Sequence, residues 1–212
     1  MTKNFFLALS VTISGLISAQ TQESTSDADF KFGVKAGYSL SNMKFFDDKL
    51  DSKSYFYAGF VAEKPLSSKV GIQAEVLYTQ IGGTDSLPLV QLIGNEITEM
   101  GTVDFNYQFT QIQVPVSVKY YFIPKFSASA GMNFCFNLSE KVKTDEIVNG
   151  TDSQDLVGYK TLNLFPFLGA EYKITDKFFV DARYNFNFFD THKNGFETKI
   201  GFLQAGLGYR FN

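Results

Sequence analysis

Seven charged side chains fall on alternate positions of extended segments: Lys35, Glu63, Glu75, Lys119, Glu171, Asp181 and Arg183. Gathered on one face, they could form a proton or ion path, or supply an acid/base pair. A structural reading competes with the catalytic one. Buried charges are tolerated when paired, and a barrel of eight strands has an interior just wide enough for side chains. On that size argument the seven are expected to fill a lumen as ion pairs, with partners that the sequence alone does not assign. His192 is the single histidine, which excludes a histidine-rich metal site or a Ser-His-Asp triad built on another His. It reads as a solvated loop residue. Cys135 is the single cysteine, so no intramolecular disulfide can form. A nucleophilic cysteine needs a base and access, and Cys135 reads instead as a small inert residue on an inner face. Asp145, Glu146, Asp152 and Asp155 form an acidic stretch without EF-hand spacing. No catalytic set, metal site or cofactor is expected.

The elements that must position these residues are strands. In Val70-Gly71-Ile72-Gln73-Ala74-Glu75-Val76-Leu77-Tyr78-Thr79 the even positions are apolar and the odd ones mostly small or polar. Period two means a strand with one greasy and one polar face. The rhythm returns eight times, over about residues 30–40, 55–64, 70–81, 105–122, 126–138, 159–174, 178–189 and 198–211. Three connections are short: 65–69, 123–125 and 175–177. Four are longer: 41–54, 82–104, 139–158 and 190–197. Up-and-down pairing puts the short turns at one end and the long loops at the other, the polarity of transmembrane barrels with short periplasmic turns and longer extracellular loops. The segments exceed the mode of about 5–6 residues for globular strands and match the 9–11 or so needed to cross a bilayer. A lipocalin-like soluble barrel also has eight up-and-down strands, with its apolar set inside. Two features favour lipid outside: Ser127, Ser129, Gly131, Asn133 and Asn137 suit a narrow lumen, and Tyr38, Tyr78, Tyr120, Phe122, Phe178, Tyr209 and Phe211 suit interfacial girdles.

The 212 residues suit one domain. A formal net charge of -3 argues against a nucleic-acid binder, which would need a basic face. Residues 1–19 combine Lys3, an apolar run from Phe5 to Ile17 and Ser18-Ala19 as a small-residue cleavage site, the layout of a secretory signal peptide. The organisation is then signal peptide 1–19, flexible polar leader 20–29 and barrel domain 30–212.

Three segments carry a family resemblance: NYQFTQIQVPVSVKYYF at 106–122, KFFVDARYN at 177–185 and the terminal GLGYRFN. They resemble the PorT-like outer-membrane β-barrel family of Bacteroidetes, over nearly the whole mature chain. The resemblance implies an all-β, eight-stranded antiparallel up-and-down transmembrane barrel in the outer membrane. It implies contact with outer-membrane lipid, insertion by the barrel-insertion machinery, and a tolerated Pro115 within a strand, at a bulge. Phe211 is followed by Asn212, a departure from the aromatic terminus common in such barrels. Asp85-Ser86-Leu87 is similar to the aspartate-serine/threonine-aliphatic O-glycosylation signal of Bacteroidetes. The expected role is structural or interactive, through loops that contact a ligand or an envelope partner. The rivals are a small passive pore, a barrel enzyme and a lipocalin-like periplasmic binder.

Overall fold

The computed structural model describes residues 30–45, 48–93, 96–144, 153–193 and 197–211. The expected signal peptide and leader, together with Asp145, Glu146 and Asp152, lie outside the described residues. Among the described residues ten strands form one antiparallel sheet: β1 Lys31–Phe45, β2 Asp48–Lys49, β3 Asp51–Pro65, β4 Val70–Ile93, β5 Glu96–Ile123, β6 Phe126–Thr144, β7 Gln154–Asp155, β8 Leu162–Lys173, β9 Phe178–Asn185 and β10 Thr198–Arg210. Eight of them make a ring in chain order, β1-β3-β4-β5-β6-β8-β9-β10. β10 closes it on β1, from Gly33↔Arg210 to Phe45↔Thr198. The two-residue strands β2 and β7 fold back on β1 and β6. Closure leaves no open edge around the ring, which is how an antiparallel sheet of this size avoids edge-to-edge association.

The alternation turns its apolar face outward. Tyr38 is 67% exposed and Phe60 66%, while Lys35, Glu63 and Glu75 are buried on the inner face. A lipocalin-like arrangement would invert this. Large inner side chains fit because glycines stand opposite them. A Cβ on Gly208 would lie 2.1 Å from Phe179 Cζ, and one on Gly206 would lie 2.3 Å from the Tyr57 hydroxyl.

Several boundaries differ from the sequence expectations. Residues 82–93 and 96–104 are strand, not loop: β4 and β5 continue as a ladder from Gly82↔Gln108 to Ile93↔Glu96. The hairpin rises well past the ring, because its apolar and β-branched residues sustain pairing where Gly and Asp had suggested a loop. β1 likewise runs on to Phe45, β3 begins at Asp51, and β6 continues to Thr144. β9 ends at Asn185 rather than at 189, and Tyr159 precedes β8 in an isolated bridge to His192. Pro115 sits at no bulge. It pairs in register with Asn133, and on its other side the ladder skips from Ala74↔Val116 to Leu77↔Gln113 without a shift. A gap in the bonding, not an extra residue, accommodates the missing N–H.

Candidate functional site

The inner face is stratified from the short-turn end to the long-loop end. Lowest lies a quartet of two cations and two carboxylates. Lys119 Nζ is 2.8 Å from both Glu63 Oε2 and Glu171 Oε2, and Arg210 Nη2 is 2.6 Å from Glu63 Oε2 and 2.8 Å from Glu171 Oε1. The Tyr121 hydroxyl also donates to Glu63. Above it stands a second quartet of the same design. Lys35 Nζ is 2.5 Å from Asp181 Oδ2 and 3.3 Å from Glu75 Oε2, and Arg183 Nη2 is 2.5 Å from Glu75 Oε2 and 3.6 Å from Asp181 Oδ2. In each quartet both cations touch both carboxylates, so each is neutral, +2 with -2. Gln73 joins the two: its amide donates to Glu75 Oε1 at 2.6 Å and its carbonyl accepts from Lys119 Nζ at 3.0 Å. A void of about 10 Å³ lies between the quartets, lined by Glu75, Lys119, Asp181, Arg183 and others. That volume admits about one water, and Asp181 Oδ1 and Arg183 Nη1, both without a protein partner, are candidates to bond it.

The seven charges expected on the inner face are thus brought together, in two groups rather than one. Arg210 and Gln73 complete the groups and were missed. Arg210 shares its phase with Gln204, Gly206 and Gly208, so the alternation carried the signal.

The next layer is built of amides. Gln113 Oε1 accepts from Gln204 Nε2 at 3.1 Å and from Asn133 Nδ2 at 3.3 Å, and Asn133 also donates to Asn185 Oδ1 at 3.0 Å. Gln113 Nε2 donates to Gln111, which donates to Asn137. Above this the interior becomes apolar. Met43, Leu50, Ile81, Phe109, Cys135, Phe165, Ile200 and Phe202 form one buried cluster with Tyr159. This stopper departs from the expectation of a polar lumen throughout. Cys135 is fully buried within it, far from the access that a nucleophile needs. His192 departs too: it is half-buried, with its ring 5.0 Å from that of Tyr159. Burial pushes the Tyr159 phenol up to about 12.

Two aromatic belts mark the outer face. At the short-turn end Tyr120 packs edge-on against Phe122, which stacks on Phe126, and Tyr209 packs edge-on against both Phe178 and Phe211. Nearer the other end stand Tyr38 with Phe56, and Tyr78. From Tyr120 to Ile112, the residue opposite Tyr78, is roughly 26 Å along the strand, comparable to the apolar band of about 25 Å in membrane barrels.

A ring of strands with belts and a filled interior matches one family in sequence as well. The family model described as "outer membrane protein beta-barrel domain" matches residues 18–193. The chain belongs to this family. Two solved structures share the fold. Ail, the attachment invasion locus protein of Yersinia pestis, determined with the heparin analogue sucrose octasulfate, is 18% identical over 86% of this chain and 99% of its own, with a TM-score of 0.53. Neisserial surface protein A is 15% identical over 85% of this chain and 97% of its own, with a TM-score of 0.54. No curated protein matches the chain in sequence. Family membership indicates the outer membrane, with the short turns periplasmic and the long hairpins extracellular. The seven charged residues therefore lie within the membrane-spanning part of an outer-membrane barrel, and the β4–β5 arm lies outside the cell.

Proposed function

We propose that this protein is a non-conducting, non-enzymatic outer-membrane barrel that works through its extracellular elements, as a structural or partner-binding protein. The supporting observation is the occupied interior. Two neutral ion quartets, an amide layer and an apolar stopper follow one another along the axis, and the void between the quartets has room for about one water. An ion crossing this interior would have to break paired charges and then enter a dry layer. The charged residues accordingly serve the barrel, and recognition falls to the hairpins and loops beyond it. Planar-bilayer recordings of the purified protein test this reading: no reproducible conductance step is expected. Stable steps of defined size would establish a passive pore instead.

The finer identity belongs to the same proposal. The segments at 106–122 and 177–185 and the terminal GLGYRFN support a PorT-like barrel from a member of the Bacteroidetes. Such a barrel would be exported by a signal peptide cleaved near Ala19, leaving a leader over residues 20–29, and inserted by the barrel-insertion machinery. It would sit among outer-membrane lipid with an envelope protein as a candidate partner, and without nucleic acid or cofactor. N-terminal sequencing of the protein from outer membranes should begin at or near Gln20. An intact mass without added sugar would remove Asp85-Ser86-Leu87 as a glycosylation site.

A further inference from the structure

The β4–β5 arm carries a surface that the barrel does not use. Its outward face changes character along its length. Just above Tyr78 it is polar: Gln108 Nε2 donates to Gln80 Oε1 at 2.5 Å, Thr84 Oγ1 to Asn106 Oδ1 at 2.9 Å, and Ser86 Oγ to Asp104 Oδ1 at 2.6 Å. Beyond this belt the same face becomes apolar. Val90, Leu92 and Ile97 are 53%, 69% and 72% exposed, and Leu92 stands directly opposite Ile97. The polar belt separates this tip from the hydrocarbon, so the bilayer is not what covers it.

The tip is also anionic. The sequence contains no Lys or Arg from Val70 to Val118, while the arm carries Asp85, Glu96, Glu99 and Asp104. Glu99 pairs across from Val90 on this face, whereas Glu96, next to Ile97 in the strand, falls on the opposite face. The cations nearest the arm stand at its base, where Lys53 donates to Asn106 and Lys143 pairs in register with it. A second copy of the chain docked through this face would set Glu99 against the same acid. A polyanion would be repelled. Strand addition is disfavoured as well: Pro88 lacks an N–H, and Met100 is extruded between Leu89↔Gly101 and Val90↔Glu99, with Gly101 at φ +142°.

We propose that the outward face of the arm tip docks a cationic, apolar-faced polypeptide segment, with Val90, Leu92 and Ile97 supplying contact area and Glu99 selecting for Lys or Arg. This rests on the reading of the extracellular elements as the binding surface and names the chemistry of the partner.

The test uses the full-length mature barrel in nanodiscs of zwitterionic lipid, with empty nanodiscs as control. The probes are a fluorescent Lys/Leu amphipathic peptide, its Glu/Leu counterpart and a sulfated oligosaccharide. The Lys/Leu peptide is expected to bind about tenfold or more tightly than the Glu/Leu one. Leu92→Ser with Ile97→Ser should weaken it about tenfold. Glu99→Gln should weaken it about two- to fivefold, an effect that shrinks as salt rises. Heat-modifiable gel mobility verifies that each variant is folded. Equal binding of both peptides, capture of the sulfated oligosaccharide, indifference to the tip substitutions, or self-association abolished by them would each overturn the assignment. Lys/Leu binding that survives the tip changes but is lost on trimming another loop overturns the arm alone. The broader reading fails separately, through conductance.

Discussion

Glu75 is the most connected acid of the upper quartet, and its neutralisation is the sharpest perturbation of the lumen. Its carboxylate holds Arg183 at 2.5 Å and Lys35 at 3.3 Å and accepts from Gln73 at 2.6 Å, with 3% of the side chain exposed. Glu75→Gln turns a neutral quartet, +2 with -2, into one with net charge +1. Removing one partner of a buried pair costs about 3–5 kcal/mol, a factor of hundreds to thousands in the folded-to-unfolded ratio. Lys35→Met leaves net charge -1 and should cost a similar amount. Together the two substitutions restore neutrality, with Arg183 facing Asp181. The double variant should therefore be more stable than either single one, which requires a coupling of about 3 kcal/mol or more. The chain has no Trp, so urea titrations in lipid vesicles are best followed by heat-modifiable gel mobility, with far-UV circular dichroism as a second probe. Additive losses, or a single-variant loss below about 1 kcal/mol, would show that charge balance does not hold this layer together.

Three further outcomes follow from the packing. Gly208→Ala places a methyl 2.1 Å from Phe179 Cζ; overpacking of this kind costs about 1–3 kcal/mol, and Phe179→Leu should recover part of the loss in the same urea titration. Gln73→Leu removes two hydrogen bonds to charged groups; at about 1.5–3 kcal/mol for such a bond, it should cost at least about 2 kcal/mol while the protein still inserts. Cys135, fully buried in the stopper, should react with a maleimide only after unfolding, and rapid labelling of the folded barrel would show that the stopper opens.

Much of the barrel was legible because period two survives in every spanning segment. The alternation placed Lys35, Glu63, Glu75, Lys119, Glu171, Asp181 and Arg183 on the inner face. It gave no partners, since these depend on how neighbouring strands are staggered. Lys35 meets Asp181 across a sequence separation of 146, and Arg210 meets Glu63 across 147. The arm is masked in the sequence by Gly82, Gly83 and Asp85, residue types that favour turns. Yet Gly94-Asn95, flanked by Leu92-Ile93 and Ile97, is itself a hairpin dipeptide. His192 reads as solvated in the sequence because loop sequence says nothing about what lies across the mouth, here Tyr159.

The stopper has a deeper reason, which the sequence records as a change of phase. Inside the bilayer, apolar residues face out and polar ones face in. Where strands pass beyond the lipid, outward apolar residues would meet water, and the hydrophobic effect then favours turning them inward. Strands β1, β4, β5 and β10 do this. β4 has Tyr78 outside and Thr79 inside, then Gln80 outside and Ile81 inside. β5 moves from Gln111 inside to Phe109 inside with Thr110 outward, and β10 from Gln204 inside to Phe202 and Ile200 inside with Lys199 outward. β1 ends with Met43 inside and Lys44 outside. The inversions fall at one level of the ring, just above Tyr78. They mark the outer boundary of the membrane and explain why a polar lumen is topped by a core like that of a soluble protein. The extended strands have no lipid to hold them, so the apolar cluster holds them instead. A strand whose phase did not invert there would expose a greasy stripe to water, and the reversal is therefore a readable sign of how far each strand rises out of the membrane.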